Sequence, residues 1–136
     1  MEPVWQRAIV VGASSGIGEA ISRHLALHGT TVAMVARRRD GMERIAEQVR
    51  KAGAAHAPVV YQCDVRDTQR SAELFEQIVR DLGHVDLIVY SSGVMPKCAD
   101  AGFPTEQDLA AVETNFAGAV VWLNAAAGYF EKRGQG

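Results

Sequence analysis

Two patterns of hydrophobic positions alternate along this chain: short unbroken apolar runs, and longer segments in which apolar residues recur every three or four positions. Ala8-Ile9-Val10-Val11 has no polar alternation, which is how a strand covered on both faces reads. From Ser15 to Leu27 the residues Ile17, Ala20, Ile21 and Leu25 mark one helix face, and Gly29 follows as a stop. Thr31-Val32-Ala33-Met34-Val35 is a second strand. Asp40 with Glu43 three residues on forms an Asp version of the capping box, ahead of a helix carrying Met42, Ile45, Ala46 and Val49 on one side and ended by Gly53. The unit then repeats. Pro58-Val59-Val60-Tyr61 is a strand, Asp67 caps a helix bearing Ala72, Phe75, Ile78, Val79 and Leu82, Gly83 closes it, and Val85 to Val89 is a fourth strand. After a loop with Pro96, Gly102 and Pro104, a long helical pattern runs from about Thr105, its N-cap candidate, to Arg133. Strands alternating with helices predict βαβ units, right-handed crossovers and a parallel sheet.

Length narrows the organisation: 136 residues are expected to form one domain spanning 1–136, with no internal linker. The net charge of −2 is spread over helical patterns, so neither nucleic acid nor a membrane surface is an expected partner. Cys63 and Cys98 lie far apart without a CxxC spacing and read as reduced thiols. The start, MEPVWQR, lacks a signal peptide's apolar core, and no apolar run approaches the roughly 20 residues of a membrane span. A soluble, cytoplasmic protein is the expectation.

The stretch between the first run and the first helix changes the picture from fold to chemistry. Gly12, Gly16 and Gly18 sit where a doubly wound fold opens a loop onto a helix N-terminus, whose free N–H groups and dipole attract phosphate. Gly12 suits the tight turn, Gly16 a close backbone approach to a pyrophosphate, and Gly18 close helix packing. The expected ligand is a dinucleotide. At the end of the second strand, a site for NAD wants a carboxylate on the ribose, whereas one for NADP wants positive charge on the 2′-phosphate. Here Ala36 is followed by Arg37-Arg38-Arg39, which points to NADP(H), with Arg39 the one that merely begins a helix.

Written Gly-x-x-x-Gly-x-Gly, the loop Val11-Gly12-Ala13-Ser14-Ser15-Gly16-Ile17-Gly18 resembles that of the short-chain dehydrogenase/reductase family, with Val11 where threonine is usual. The resemblance covers essentially the whole chain. It implies a Rossmann-type, doubly wound α/β fold of about four parallel strands in the order 3-2-1-4, with helices on both faces. It also implies that Ser14, Ser15 and Ile17 line the phosphates and that Arg37 and Arg38 receive the 2′-phosphate. Asp64 and Val65 would flank the adenine, and Asn115 would be the helix asparagine that holds a water in the family's proton relay. Tyr90-Ser91-Ser92-Gly93 stands where the family shows Asn-Asn-Ala-Gly, keeping Gly93 beside the cofactor ribose but neither amide; Ser91 and Ser92 remain cofactor-side residues. The parent reaction implied is hydride transfer between NADP(H) and an alcohol or ketone, by a homo-oligomer.

The family's catalytic serine and Tyr-x-x-x-Lys pair would follow Gly136, so the chain reads as an amino-terminal half. It is expected to bind cofactor without turnover, and to self-associate or dock a carboxy-terminal half through its fourth strand and last helix. Tyr129 and Arg133 share a helix face but lie at the end away from the cofactor, and arginine does not shuttle protons. Ser91 and Ser92 have no activating partner at a suitable spacing, and His24 and His28 lack a third ligand, so no metal is expected. His56 and His84 are expected to face solvent. Two other readings stay open: a non-catalytic NADP-binding sensor or assembly module, and a methyltransferase-like nucleoside site, which would want an acid where Ala36 and Arg37 stand.

Overall fold

A computed structural model describes residues 2, 4–95, 102 and 104–136. Pro96, Cys98 and the centre of the loop between Val94 and Pro104 lie outside the described residues. The apolar runs form four strands, β1 (Arg7–Val11), β2 (Thr31–Ala36), β3 (Val59–Gln62) and β4 (Leu87–Tyr90), all parallel, in the order β3-β2-β1-β4. Among the described residues there are five α-helices, three between the strands, α1 (Gly16–Leu27), α2 (Arg39–Lys51) and α3 (Thr68–Leu82), and two after β4, α4 (Thr105–Val112) and α5 (Gly118–Arg133).

The sheet is unbroken apolar in its middle strands because both of its faces are covered. Ile9, Val11, Ala33 and Val35 pack with Leu74, Phe75 and Ile78 of α3 and Trp122 and Ala126 of α5. Val10, Val32 and Met34 point the other way, onto Ala26 of α1 and Met42, Ile45 and Val49 of α2. Alternation within each run thus feeds two cores. The fold is the doubly wound α/β architecture expected.

Several local expectations are corrected. The buried line of α1 is Gly18, Ser22 and Ala26; Ile21 and Leu25 flank it half-buried, while Ile17 is 74% exposed and Ala20 is exposed as well. Periodicity favoured the larger side chains, but this helix lies so close to the sheet that only the smallest residues fit beneath it. In α3 the face is made by Ser71, Leu74, Phe75 and Ile78, and Ala72 is exposed. Helix α2 begins one residue before Asp40, with Arg38 at the cap, so Asp40 acts from the first turn, where its charge suits the dipole. Asp67 does cap α3, accepting from Arg70 N at 2.9 Å.

The long final pattern is not one helix. A π-turn over Glu113–Ala117 separates α4 from α5, and Thr105 is the first helical residue of α4, with Pro104 at the cap. Strand β4 begins two residues later than expected because Val85 is held by side chains: its N–H donates to Tyr129 Oη at 3.3 Å and its carbonyl accepts from Arg133 Nη1 at 3.0 Å. His84 is half-buried rather than solvent-facing, with the Arg7 guanidinium against its ring and Asp86 nearby. Burial, with the charges of Arg7 and Arg133, holds its pKa below the ordinary value.

Tyr61 on β3 joins the sheet to α3 by donating to Asp81 Oδ2 at 2.9 Å. Burial first, then that carboxylate, pushes the phenol up to about 12. A tyrosine in the unfolded chain ionises near 10, so above that pH the unfolded state sheds a proton that the folded state keeps. Stability is therefore full below about pH 10 and falls as pH rises toward 12. Tyr61→Phe should cost about 1 kcal/mol at neutral pH and shallow that alkaline decline in urea melts. A decline as steep as the parent's would refute the assignment.

Candidate functional site

The loops that follow β1, β2, β3 and β4 converge at the carboxyl edge of the sheet, where the chain has crossed from the β2–β3 side of β1 to the β4 side. Such a switch point leaves a crevice between neighbouring loops. Gly12 N and Ala13 N both donate to Val35 O, at 2.8 and 3.2 Å, which folds the chain sharply off β1. Gly12 has φ +86°, and a Cβ there would lie 2.5 Å from Ser92 N. A Cβ on Gly18 would fall on the Gly12 carbonyl and 2.5 Å from Ser91 Oγ. Gly16 differs: at φ +58° a Cβ would meet nothing within 4 Å, so the space over the start of α1 is open. The Ser15 side chain makes no cap bond, which leaves the first-turn amides facing that space.

Beside this turn lies a bay of about 600 Å³, lined by Ser14, Ser15, Arg37, Arg38, Arg44 and Gln62 among others. Arg38 Nη2 donates to Ser15 Oγ at 3.1 Å and Ser14 Oγ at 3.4 Å. Gln62 Nε2 donates to Arg37 O at 3.0 Å, tying the end of β3 to the arginine loop. Arg39 also lines the bay, but it is engaged in an ion pair with Glu43 at 2.7 Å. Two acids also line the bay, Glu19, which is paired with Arg23 at 2.8 Å, and Asp40. Arg44 was missed in the sequence; five residues beyond Arg39, it comes into the bay only once α2 is known to start there.

A narrower cleft of about 140 Å³ continues from the bay along Gly12, Ser14, Ser15, Arg37, Arg38, Asp64, Val65, Ser91, Ser92 and Gly93, with Ala36, Val94 and Thr114 completing it. Asp64 is gripped by Arg66, whose Nη2 donates at 2.7 Å and whose backbone N–H donates at 3.0 Å. That hydrogen bonding holds its carboxyl below the usual range, and Arg37 adds to it. Ser91 Oγ donates to Val11 O at 3.1 Å, so this hydroxyl is spent on the β1 turn. Not every expected residue lines the cleft. Gly16 and Ile17 are exposed and line neither the cleft nor the bay, and Gly18 is buried.

Asn115, on the π-turn, is exposed and does not itself line the cleft, but it bonds a residue that does. Its Oδ1 accepts from Val94 N at 2.7 Å and its Nδ2 donates to Val94 O at 2.8 Å. Tyr90, the last residue of β4, donates to Thr114 O at 2.5 Å. Burial, and then the charge of Asp64, push this phenol up to about 12. The bonds made at Val94 and Thr114 escaped sequence reasoning because they use backbone atoms, which carry no residue signature.

Elsewhere little competes with this cleft. Tyr129 and Arg133 bind Val85 at the opposite end of the sheet. The exposed rings of His24 and His28 stack at 4.1 Å, and the described residues hold no group of three or more His, Cys, Asp or Glu suited to a metal. Cys63 is buried, which raises its pKa and quenches its reactivity. No described helix is long and apolar enough to cross a membrane.

Glycine-lined turn, open helix N-terminus, arginine bay and adjoining cleft together define a nucleotide-binding α/β module of the doubly wound class. Residues 6–136 match the short chain dehydrogenase family, and the chain belongs to it. A short-chain type dehydrogenase/reductase from Mycobacterium marinum is 29% identical with a TM-score of 0.87, over 96% of this chain and 52% of that one. An actinorhodin polyketide ketoreductase solved with NADPH is 33% identical with a TM-score of 0.86, over 96% and 50%. An uncharacterized oxidoreductase of Mycobacterium tuberculosis is 27% identical over 131 residues, 96% of this chain and 52% of its own length. The chain thus spans about half the length of these relatives.

The glycines separate by role. Gly18→Ala should cost about 3 kcal/mol in urea melts, because backbone on both sides must yield. Gly16→Ala should cost only about 1 kcal/mol, for its left-handed φ. Equal losses would contradict the packing described.

Proposed function

We propose that the chain binds NADP(H) and is the cofactor-binding portion of a short-chain dehydrogenase/reductase acting on a small alcohol or ketone. The observation that carries the reading is the bay after β2, where Arg37, Arg38 and Arg44 gather beside the Ser14 and Ser15 hydroxyls and position 36 is an alanine. A 2′-phosphate fits that donor set, and a ribose diol wanting a carboxylate does not. Two similar structures hold NADPH and NADP, the ketoreductase above and a metagenomic short-chain oxidoreductase 27% identical to this chain.

In this reading the first-turn amides of α1, with Ser14, Ser15, Gly16 and the exposed Ile17, take the pyrophosphate, while Gly12 and Gly18 shape the turn beneath. Arg37 and Arg38 hold the 2′-phosphate. Asp64, already ordered by Arg66, and Val65 flank the adenine, and Ser91, Ser92 and Gly93 present backbone to the far ribose. Bound NADPH supplies a hydride. Asn115 is the relay residue, its side chain committed to Val94. The sequence holds no Tyr-x-x-x-Lys pair, so this polypeptide by itself is expected to bind without turnover.

Fluorescence titration with NADPH and NADH tests the reading. Each charge-assisted contact contributes about 1.5–3 kcal/mol, so Arg37→Ala or Arg38→Ala should weaken NADPH roughly tenfold to a hundredfold and leave NADH nearly unchanged. Equal losses for both cofactors, or no NADPH binding by the parent chain, would sink it.

We also propose that the chain associates through β4 and the helical face beside it. Among the described residues β4 pairs only with β1, its four residues are all part-exposed, and Leu109, Val112, Phe116, Val120 and Leu123 are exposed along the last helices. Open edges of this kind pair readily. Sedimentation at high concentration should show dimers, larger species, or a complex with an added carboxy-terminal half; a sharp monomer both with and without that half would overturn the proposal.

A further inference from the structure

The π-turn is held from outside the helix. In an α-helix the Gly118 amide would serve the Thr114 carbonyl four residues back; here it donates to Glu113 O, five residues back. The carbonyl so released accepts the Tyr90 hydroxyl at 2.5 Å. Gly118 makes room for that contact: a Cβ there would overlap the Tyr90 hydroxyl and lie 3.1 Å from Val65 Cβ. The residue after Thr114 is Asn115, whose amide closes two bonds on the Val94 backbone, and Thr114 and Val94 both line the cleft.

Packing does not hold the turn from its other side. Helix α4 contributes no buried residue, whereas α5 is anchored by Gly118, Trp122 and Ala126. Were Thr114 O to regain the Gly118 amide, the turn would close to α-helical register. Residues ahead of Gly118 would then rotate by about 100° against α5, taking the Asn115 side chain off Val94.

We propose that Tyr90 is a positioning residue for the cofactor cleft: its hydroxyl holds the π-turn open, and the open turn keeps Asn115 clamped on Val94. Its consequence for NADP(H) rests on the function proposed above. Its consequence for Val94 does not. The residue acts at a distance from any ligand, through the register of a helix.

The experiment is amide hydrogen exchange of the full ligand-free chain, read residue by residue by NMR, for the parent, Tyr90→Phe, Gly118→Ala and Asn115→Ala. Gly118→Ala displaces the same hydroxyl without altering the ring. It serves as the second variant should Tyr90→Phe not fold, folding being judged by retained protection across β1. Val94 N–H should exchange about tenfold faster in either variant, approaching its rate in Asn115→Ala, with the Asn115 side-chain amide resonances shifted. NADPH and NADH affinities should fall together, severalfold, unlike the selective loss at the arginines. A parental Val94 rate in a folded variant overturns the proposal, as does a faster rate with both affinities unchanged. A parent chain that binds neither cofactor would instead remove the functional reading and leave the exchange result to decide the role of Tyr90.

Discussion

Everything at the carboxyl edge of the sheet depends on how closely α1 approaches the turn after β1. The Gly12 carbonyl fills the place a Cβ on Gly18 would need, and the Ser92 backbone fills the place a Cβ on Gly12 would need. One turn, one helix and one strand end are thereby stacked backbone on backbone. Such contacts do not relax as side chains do, so the open amides of α1 are fixed relative to β4 to within the tolerance of two van der Waals surfaces. The same constraint explains the burial of α1, where Gly18, Ser22 and Ala26 take the contact line and larger residues are pushed outward. Ile17 is among the residues pushed outward and is exposed.

The electrostatics are layered on that frame. Arg66 gives Asp64 a fixed partner within the loop, so the carboxylate remains ordered although it is part-exposed. Arg38 finds only hydroxyls, Ser14 and Ser15, which donate as well as accept and compensate no charge. A phosphate entering the bay therefore meets a guanidinium whose charge is unpaired in these contacts, while of the two acids lining the bay Glu19, in the first turn of α1, is engaged by Arg23 and Asp40 stands in the first turn of α2. The contrast between Arg38 and Arg39, adjacent in sequence and opposite in partner, comes from where α2 begins.

That contrast also marks what the sequence could reveal. Unbroken runs announced all four strands, and the class of fold followed from their alternation with helical periods, because burial on two faces leaves a compositional trace. The glycine loop was legible for the same kind of reason: at Gly12 and Gly18 no other residue tolerates the backbone contacts. Contacts made by backbone left no trace, so the bonds at Val94 and Thr114 were not foreseen. The π-turn was equally hidden, since inserting one residue's worth of register into a helix barely disturbs a hydrophobic pattern read every three or four positions. Periodicity misjudged α1 because it assumes that the largest apolar residues face inward, which fails when the backbone itself is the contact surface.

Strand β4 brings these threads together, because its two ends are held by tyrosines in opposite senses. At its start Tyr129, from α5, accepts from the Val85 amide while Arg133 donates to the Val85 carbonyl, so a helix fixes the strand. At its end Tyr90, from the strand, donates to Thr114, so the strand fixes the helix. Tyr129 and Arg133 share a face in the manner of a catalytic pair, yet both are consumed in satisfying backbone groups that the late start of the ladder leaves over. The polar side chains at one end of the sheet thus complete the strand, while those at the other end hold a loop and a turn in a register that the helix would not adopt by itself. A parallel sheet concentrates its chemistry at one edge only if the opposite edge is closed, and here the closing is done by the residues that most resemble an active site.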